Sequence, residues 1–180
     1  LVLQLAAITQ KCRENMMNNN ENYNINNTRG KPDDTLLGGC RVLDLTDEKG
    51  SFCGKLLADS GADVIKIEAP DKVQVNEKDT SSPGIPKHPN GFSPLMTNTS
   101  KRSIILDINN REGRKSFIGL VKSADIVVES FPPGYLNDLG LAYSDLQKIN
   151  PKLVFTSITP FGQTGPLAHY NASDIVLMAM

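Results

Sequence analysis

The sequence predicts an α/β protein built on an open parallel sheet flanked by helices, and three observations carry that prediction. Arg41 to Leu45 (RVLDL) and Val64 to Ile67 are short aliphatic runs of strand character, and between them Phe52, Leu56 and Leu57 recur at helical spacing. Gly61 stands where a helix ends in a left-handed residue, and the connection is long enough for a right-handed crossover, so the two strands lie parallel. Three more aliphatic runs, at 103–108, 126–129 and 153–158, alternate with helical patterns and extend the same unit.

Leu1 to Arg13 places Leu3, Leu5, Ala6 and Ile8 on overlapping helical faces, but a helix of that length is marginal in water without a docking surface. Asn15 to Asn27 contains eight asparagines, and Arg29 to Asp34 adds glycine, proline and charge. Such a composition buries too little apolar area to offset its ordering entropy. Residues 1–36 are therefore expected to be a disordered Asn-rich tail or linker with one short helical stretch, and residues 37–180 the folded part. The Asn26-Asn27-Thr28 and Asn98-Thr99-Ser100 sequons are read as chance in so asparagine-rich a chain.

After the central unit, Asp71 to Asn90 is polar and punctuated by Pro83, Gly84, Pro86 and Pro89, which predicts a long surface excursion. Ser103 to Ile108 (SIILDI) is a third strand with the basic pair Lys101-Arg102 at its start. Asn110 caps a helix over Arg111 to Ser123, with Phe117, Leu120 and Val121 on one face. Ile126 to Glu129 (IVVE) is a fourth strand, turned sharply by Phe131-Pro132-Pro133-Gly134. Ser144 and Gln147 have capping-box spacing for a short helix ending before Pro151. Leu153 to Ile158 is a fifth strand, Thr159 to Pro166 (TPFGQTGP) a loop at its carboxyl end, and Asn171 to Met180 a further helix.

At 180 residues the chain is sized for one domain. A net charge of -1, from 19 basic and 20 acidic residues, provides no field for nucleic acid or an anionic membrane, so neither is an expected partner. The three cysteines, Cys12, Cys40 and Cys53, form no C-x-x-C pair, and His88 and His169 are isolated, so neither a disulfide framework nor a metal site is expected. A reducing, cytoplasmic setting suits that composition. The opening LVLQLAAITQ is too short to span a bilayer and lacks the features of a secretory leader. The chain begins on Leu1 rather than methionine and stops at Met180 within a helical pattern, so it is expected to be a piece of a longer product.

In an open parallel sheet ligands bind beyond the carboxyl ends of the strands, here the loop Thr46 to Ser51 (TDEKGS) and the segment after Glu68. A dinucleotide site would need G-x-G-x-x-G in that loop, but only Gly50 and Gly54 are present. Asp47 and Glu48 repel phosphate unless Lys49 or the helix N-terminus outweighs them. Ser130 and Phe131, presented by the turn after the fourth strand, are a second candidate wall.

The blocks RVLDLT, KLLADSGADVIKIE, KRSIILD, GR, ADIVVESFPPGYLNDLGL, INPKLVFTSITPFGQTGP and ASDIV, in this order and spacing, resemble the family III CoA-transferases. That family holds formyl-CoA transferase, carnitine CoA-transferase and α-methylacyl-CoA racemase. The resemblance runs from about Leu37 to Met180. It implies that the chain is the N-terminal part of a CoA-binding Rossmann-like large domain, in a homodimer of interlinked chains. It also implies transfer of CoA from an acyl-CoA to a carboxylic acid through an aspartyl covalent intermediate, a carboxylate acting as nucleophile. By extrapolation that aspartate falls beyond Met180, so no catalytic residue is expected in this chain and the chain alone is expected to be inactive. Asp174 is the tempting stand-in, but an acid in a helix's first turn is more often a dipole partner. Where the racemase branch has a histidine this chain has Ser173, which cannot exchange a proton near neutral pH.

The resemblance carries over CoA contacts to Asp47, Glu48 and Lys49, with backbone contacts less dependent on residue type than side-chain ones. It places Ser130 and Phe131 along the CoA channel and Leu139 at the adenine pocket, and it sets Lys101 and Arg102 to meet phosphates. Pro70 stands where some members have an arginine near the adenine, and Asp138 replaces a basic residue. Bland readings stand beside these: Phe131 as core packing, Lys101 and Arg102 as a solvated strand start, and TPFGQTGP as a tight turn. At the level of function the alternatives are an acyl-CoA racemase of the same family and a non-catalytic nucleotide-binding module with an Asn-rich arm.

Overall fold

The computed structural model describes residues 35–70 and 94–179. The expected tail up to residue 34 and the excursion from Asp71 to Asn90 lie outside the described residues. In chain order the elements are β1 (Arg41–Leu45), α1 (Ser51–Asp59), β2 (Asp63–Glu68), α2 (Pro94–Asn98), β3 (Arg102–Ile105), α3 (Arg111–Val121), β4 (Ile126–Glu129), α4 (Tyr135–Asp138), α5 (Tyr143–Ile149), β5 (Val154–Ser157) and α6 (Asp174–Ala179). The five strands form one sheet in the order β3-β2-β1-β4-β5, and every neighbouring pair is parallel. Strand order reverses direction between β1 and β4, which opens a crevice at their carboxyl ends.

Successive strand residues alternate between two faces. Leu43, Leu45, Ile65, Ile67 and Val127 pack on one face with Phe117 and Val121 of α3 and Leu146 of α5. Val42, Val64, Ile126 and Val128 pack on the other with Cys53, Leu57 and Ala58 of α1. Central strands covered on both sides read as near-continuous apolar runs, which is why β1, β2 and β4 were legible.

Gly61 closes the α1 turn with φ +99°, the left-handed geometry expected from its place in the sequence. Asn110 caps α3 as expected: its backbone is extended and its side-chain oxygen accepts the Gly113 N–H at 2.6 Å. Other details differ. The buried face of α1 is made of Ser51, Cys53, Gly54, Leu57 and Ala58, whereas Phe52 is 49% exposed. A glycine is required at position 54 because the helix there lies close over Asp44 and Lys101. The third strand stops at Ile105 instead of Ile108, because Asp107 turns the chain: its carboxylate accepts Asn109 N–H at 2.9 Å and Asn110 Nδ2 at 3.0 Å. The Ser144/Gln147 capping box does not form. Helix α5 starts two residues earlier than that box requires, at Tyr143, its N-cap is Ala142 without a side-chain capping bond, and both residues lie inside the helix.

Candidate functional site

Three loops meet at the carboxyl edge of β1, β4 and β5. The Thr46–Ser51 loop is drawn to the turn after β4 by a reciprocal contact: Asp47 N–H donates to Ser130 Oγ at 2.7 Å, and the Ser130 hydroxyl donates to Asp47 Oδ1 at 2.8 Å. These residues are 83 positions apart in the chain, and the switch point is what joins them. The loop after β5 is tied to the same place through Gln163, whose Nε2 donates to Glu129 Oε1 at 3.3 Å. Glu129 also accepts the Phe131 N–H at 2.7 Å, which fixes the exit of the chain from β4. Burial pushes the Glu129 carboxyl above its ordinary range, against opposing hydrogen bonds from Ser157 and the Phe131 backbone. A cavity of about 200 Å³ opens beside it, lined among others by Leu136, Tyr143, Phe155, Ser157 and Gln163.

Of the candidate CoA contacts, Asp47, Ser130 and Phe131 are brought together. Phe131 is half-buried, stacked on Tyr135 with ring centroids 4.7 Å apart, and packed against the α3–α5 core. Glu48 and Lys49 are exposed on the rim of the same loop. Pro70 is exposed just past β2, and Leu139, at the end of α4, packs against the core.

The loop's own backbone is largely occupied. Asp47 Oδ1 accepts Lys49 N–H at 3.0 Å, and the Asp47 carbonyl accepts Gly50 and Ser51 N–H at 3.2 and 2.9 Å. The loop therefore offers a ligand its shape and its rim side chains, and the amides of Asp47, Lys49, Gly50 and Ser51 are already bonded within the protein.

Lys101 and Arg102 stand elsewhere. The Lys101 side chain is only 1% exposed, and its ammonium donates to Asp44 Oδ2 at 2.8 Å, to the Ser51 carbonyl at 2.8 Å and to Asn98 Oδ1 at 3.1 Å. Arg102 lies at the amino edge of the sheet on Asp63, which Arg41 also pairs. Neither presents its charge at the carboxyl edge: one cation is buried under α1, and the other sits at the opposite end of the strands.

Sequence reasoning missed Asp44, Lys66 and Glu129. Asp44 and Lys66 face each other in the β1–β2 register, with Lys66 Nζ 3.3 Å from Asp44 Oδ1. Asp44 Oδ1 further accepts the Thr46 hydroxyl at 2.6 Å and the Thr46 N–H at 2.9 Å. Burial opposes ionisation of Asp44, but the Lys66 and Lys101 ammonium groups and these hydrogen bonds outweigh it and hold its carboxyl below the ordinary range. Burial, assisted by the neighbouring Lys101 charge, pulls Lys66 below the usual lysine range against the attraction of Asp44. Gly54 is what lets α1 pass over this cluster, since a Cβ there would overlap the Asp44 carboxylate. The available signal was a charge inside each of two adjacent aliphatic runs, VLDL and VIKIE.

The CoA-transferase family III profile matches residues 37–180. The chain belongs to CoA-transferase family III. Within the family it is 42% identical over 143 residues to succinyl-CoA:(R)-benzylsuccinate CoA-transferase subunit BbsE of Thauera aromatica, a match covering 78% of this chain and 34% of that protein. It is 41% identical to acetyl-CoA:oxalate CoA-transferase of Acetobacter aceti, covering 79% of this chain and 36% of the relative. The crystal structure of Rv3272 from M. tuberculosis superposes with a TM-score of 0.67 at 35% identity, over 78% of this chain and 39% of that one. The chain thus spans about a third of the length of the curated family III relatives it matches. Among the described residues no helix is long and apolar enough to cross a membrane, and no cluster of three or more His, Cys, Asp or Glu side chains could hold a metal.

Proposed function

We propose that the protein transfers coenzyme A between an acyl-CoA and a carboxylic acid acceptor, and that residues 37–180 are the amino-terminal part of its CoA-binding domain. The observation that carries this reading is the junction of Asp47 with Ser130 at the switch point of a family III chain. It forms one continuous edge from the Thr46–Ser51 loop to Phe131, where an open parallel sheet receives a ligand. On this reading CoA lies along that edge, touched by the Asp47, Glu48 and Lys49 rim, by Ser130 and Phe131, and by Leu139 and Pro70 further out.

The chemistry is covalent catalysis by an aspartate lying after Met180. Its carboxylate oxygen attacks the thioester carbonyl, the C–S bond breaks, and CoA leaves as a thiolate from a mixed anhydride. The thiolate then attacks the aspartyl carbonyl, releasing the donor acid and leaving an aspartyl-CoA thioester. The acceptor carboxylate displaces CoA again, and the thiolate attacks the acceptor's carbonyl to give the new acyl-CoA and regenerate the aspartate. Ser173, standing where a racemase would hold a basic residue, favours transfer over epimerisation. The complete enzyme is read as a cytoplasmic homodimer.

The test is to assay the full-length protein with acyl-CoA donors against a panel of carboxylic acids while trapping the intermediate with hydroxylamine. Turnover, with a hydroxamate mapped to one aspartate outside residues 37–180, is expected. Epimerisation of an α-branched acyl-CoA without transfer would move the protein to the racemase branch, and absence of any CoA binding would leave a non-catalytic module. Residues 37–180 alone are expected to show no turnover.

A further inference from the structure

Resting on the reading of the Thr46–Ser51 loop as part of the CoA site, we propose that Lys66 and Lys101 are positioning residues that grip the two ends of this loop from inside the fold. Lys66 Nζ donates to the carbonyl of Thr46, the first residue of the loop. Lys101 Nζ donates to the carbonyl of Ser51, where the loop passes into α1, at 2.8 Å. Both ammonium groups are anchored on one carboxylate, Asp44, at 3.3 and 2.8 Å. The loop is held at both ends by a single buried cluster that never reaches the ligand side.

Neutralising Asp44 requires one cation, and two are present. Glu68 attracts Lys66 as well, but a buried ammonium is costly unless its hydrogen bonds are met, so Lys101 needs a full set of acceptors beside the charge of Asp44. The geometry supplies it. Ser100 adopts φ +66°, a left-handed turn after α2, and Asn98 Oδ1 takes a third bond from Lys101 at 3.1 Å. The missing side chain of Gly54 leaves room for the ammonium beneath α1. The result is a loop whose amides at Asp47, Lys49, Gly50 and Ser51 are bonded within the protein and whose terminal carbonyls are bonded from below, so that it meets a ligand already shaped. If an ungripped loop holds the competent shape a tenth of the time, apparent affinity falls about tenfold.

The experiment uses the full-length protein and its Lys101→Met variant, which keeps the Asp44–Lys66 pair and fills most of the vacated volume. Amide hydrogen exchange is read without CoA at Lys49, Gly50 and Ser51, with α3 as the internal control. Free CoA is then titrated calorimetrically, and KM and kcat are measured. The expected result is loop exchange faster by about tenfold, α3 unchanged, CoA affinity and KM weakened about tenfold, and kcat within about twofold. Unchanged loop exchange overturns the proposal. So does faster exchange spread equally over α3, which marks ordinary destabilisation, or a loosened loop with intact CoA affinity. Should Lys101→Met fail to fold, Lys66→Met gives the same readouts from the other end of the loop. The two readings fail separately: no CoA binding by the unsubstituted protein overturns the functional one and the ligand-facing half of this one, while the CoA-free exchange still decides the grip.

Discussion

Under α3 and α5 the sheet presents Leu43, Ile65 and Val127 to Phe117, Val121 and Leu146, whereas under α1 the same strands present Val42, Val64 and Val128 interrupted by buried Asp44 and Lys66. The first face is shaped by volume alone and takes large side chains from its helices. The second is interrupted by charge and takes a glycine, Gly54, where α1 passes directly over the carboxylate, while Leu57 packs on its apolar part. An apolar face holds elements together without direction, while the polar one supplies directed bonds that reach the ends of a loop. Strength on one side and aim on the other is what the division provides.

The largest effect is expected at Asp44. Asp44→Asn leaves two buried ammonium groups facing each other without their anion, and a loss of roughly 3–5 kcal/mol is expected from denaturant unfolding. On the apolar face, Leu146→Ala removes a fully buried side chain of α5. A cost of about 3 kcal/mol is expected, with loop exchange at Lys49 to Ser51 unaffected. Asn110→Ala deletes the α3 cap and should cost about 1 kcal/mol by the same measurement.

The buried carboxylates also respond to pH in opposite senses. Glu129 and Asp125 are raised by burial, from ordinary values of 4.5 and 3.8. Between the ordinary and the raised value the native form of each binds more protons than the unfolded chain, so their contribution falls as pH rises through that window. Asp44 is lowered and works in the opposite sense: its contribution is present above 3.8 and is lost as pH falls through its folded value. Unfolding midpoints should therefore rise on mild acidification and fall on stronger acidification, and Glu129→Gln should flatten the first limb. A smaller change still is expected from replacing the whole charged cluster. Asp44→Leu with Lys66→Met and Lys101→Met should leave stability within about 1 kcal/mol or raise it, since apolar replacements of buried ion clusters are often neutral or better. Loop exchange should nevertheless accelerate, which separates aim from strength in one molecule.

Much of the site was legible as position and little of it as contact. The carboxyl-edge rule points to Thr46–Ser51 and to Ser130-Phe131 from the sequence, and these are the segments that Asp47 and Ser130 join. Lys101 and Arg102 look alike as neighbours at a strand start, yet one ammonium is sealed under α1 and the other charge pairs with Asp63 at the far edge. Phe52 shares helical spacing with Leu56 and Leu57, yet it lies outside the core while Leu57 is buried, because the face of α1 turned to the sheet is the one on which Gly54 clears Asp44. Glu129 went unnoticed as the last residue of an apolar strand, although its carboxyl ties Phe131 and Gln163 together.

By itself the sequence determined the order and type of the central elements, the parallel sheet, the left-handed stop at Gly61, the cap at Asn110 and the family, because these depend on local periodicity and on residues close in the chain. Only the tertiary structure decided which charges meet. Asp44 acquires Lys66 from a neighbouring strand and Lys101 from 57 residues away, and Asp47 acquires Ser130 across the switch point. Pairings of that kind follow from strand register and helix placement, which bring distant residues within hydrogen-bond reach after the chain has closed on itself, and no local pattern encodes them.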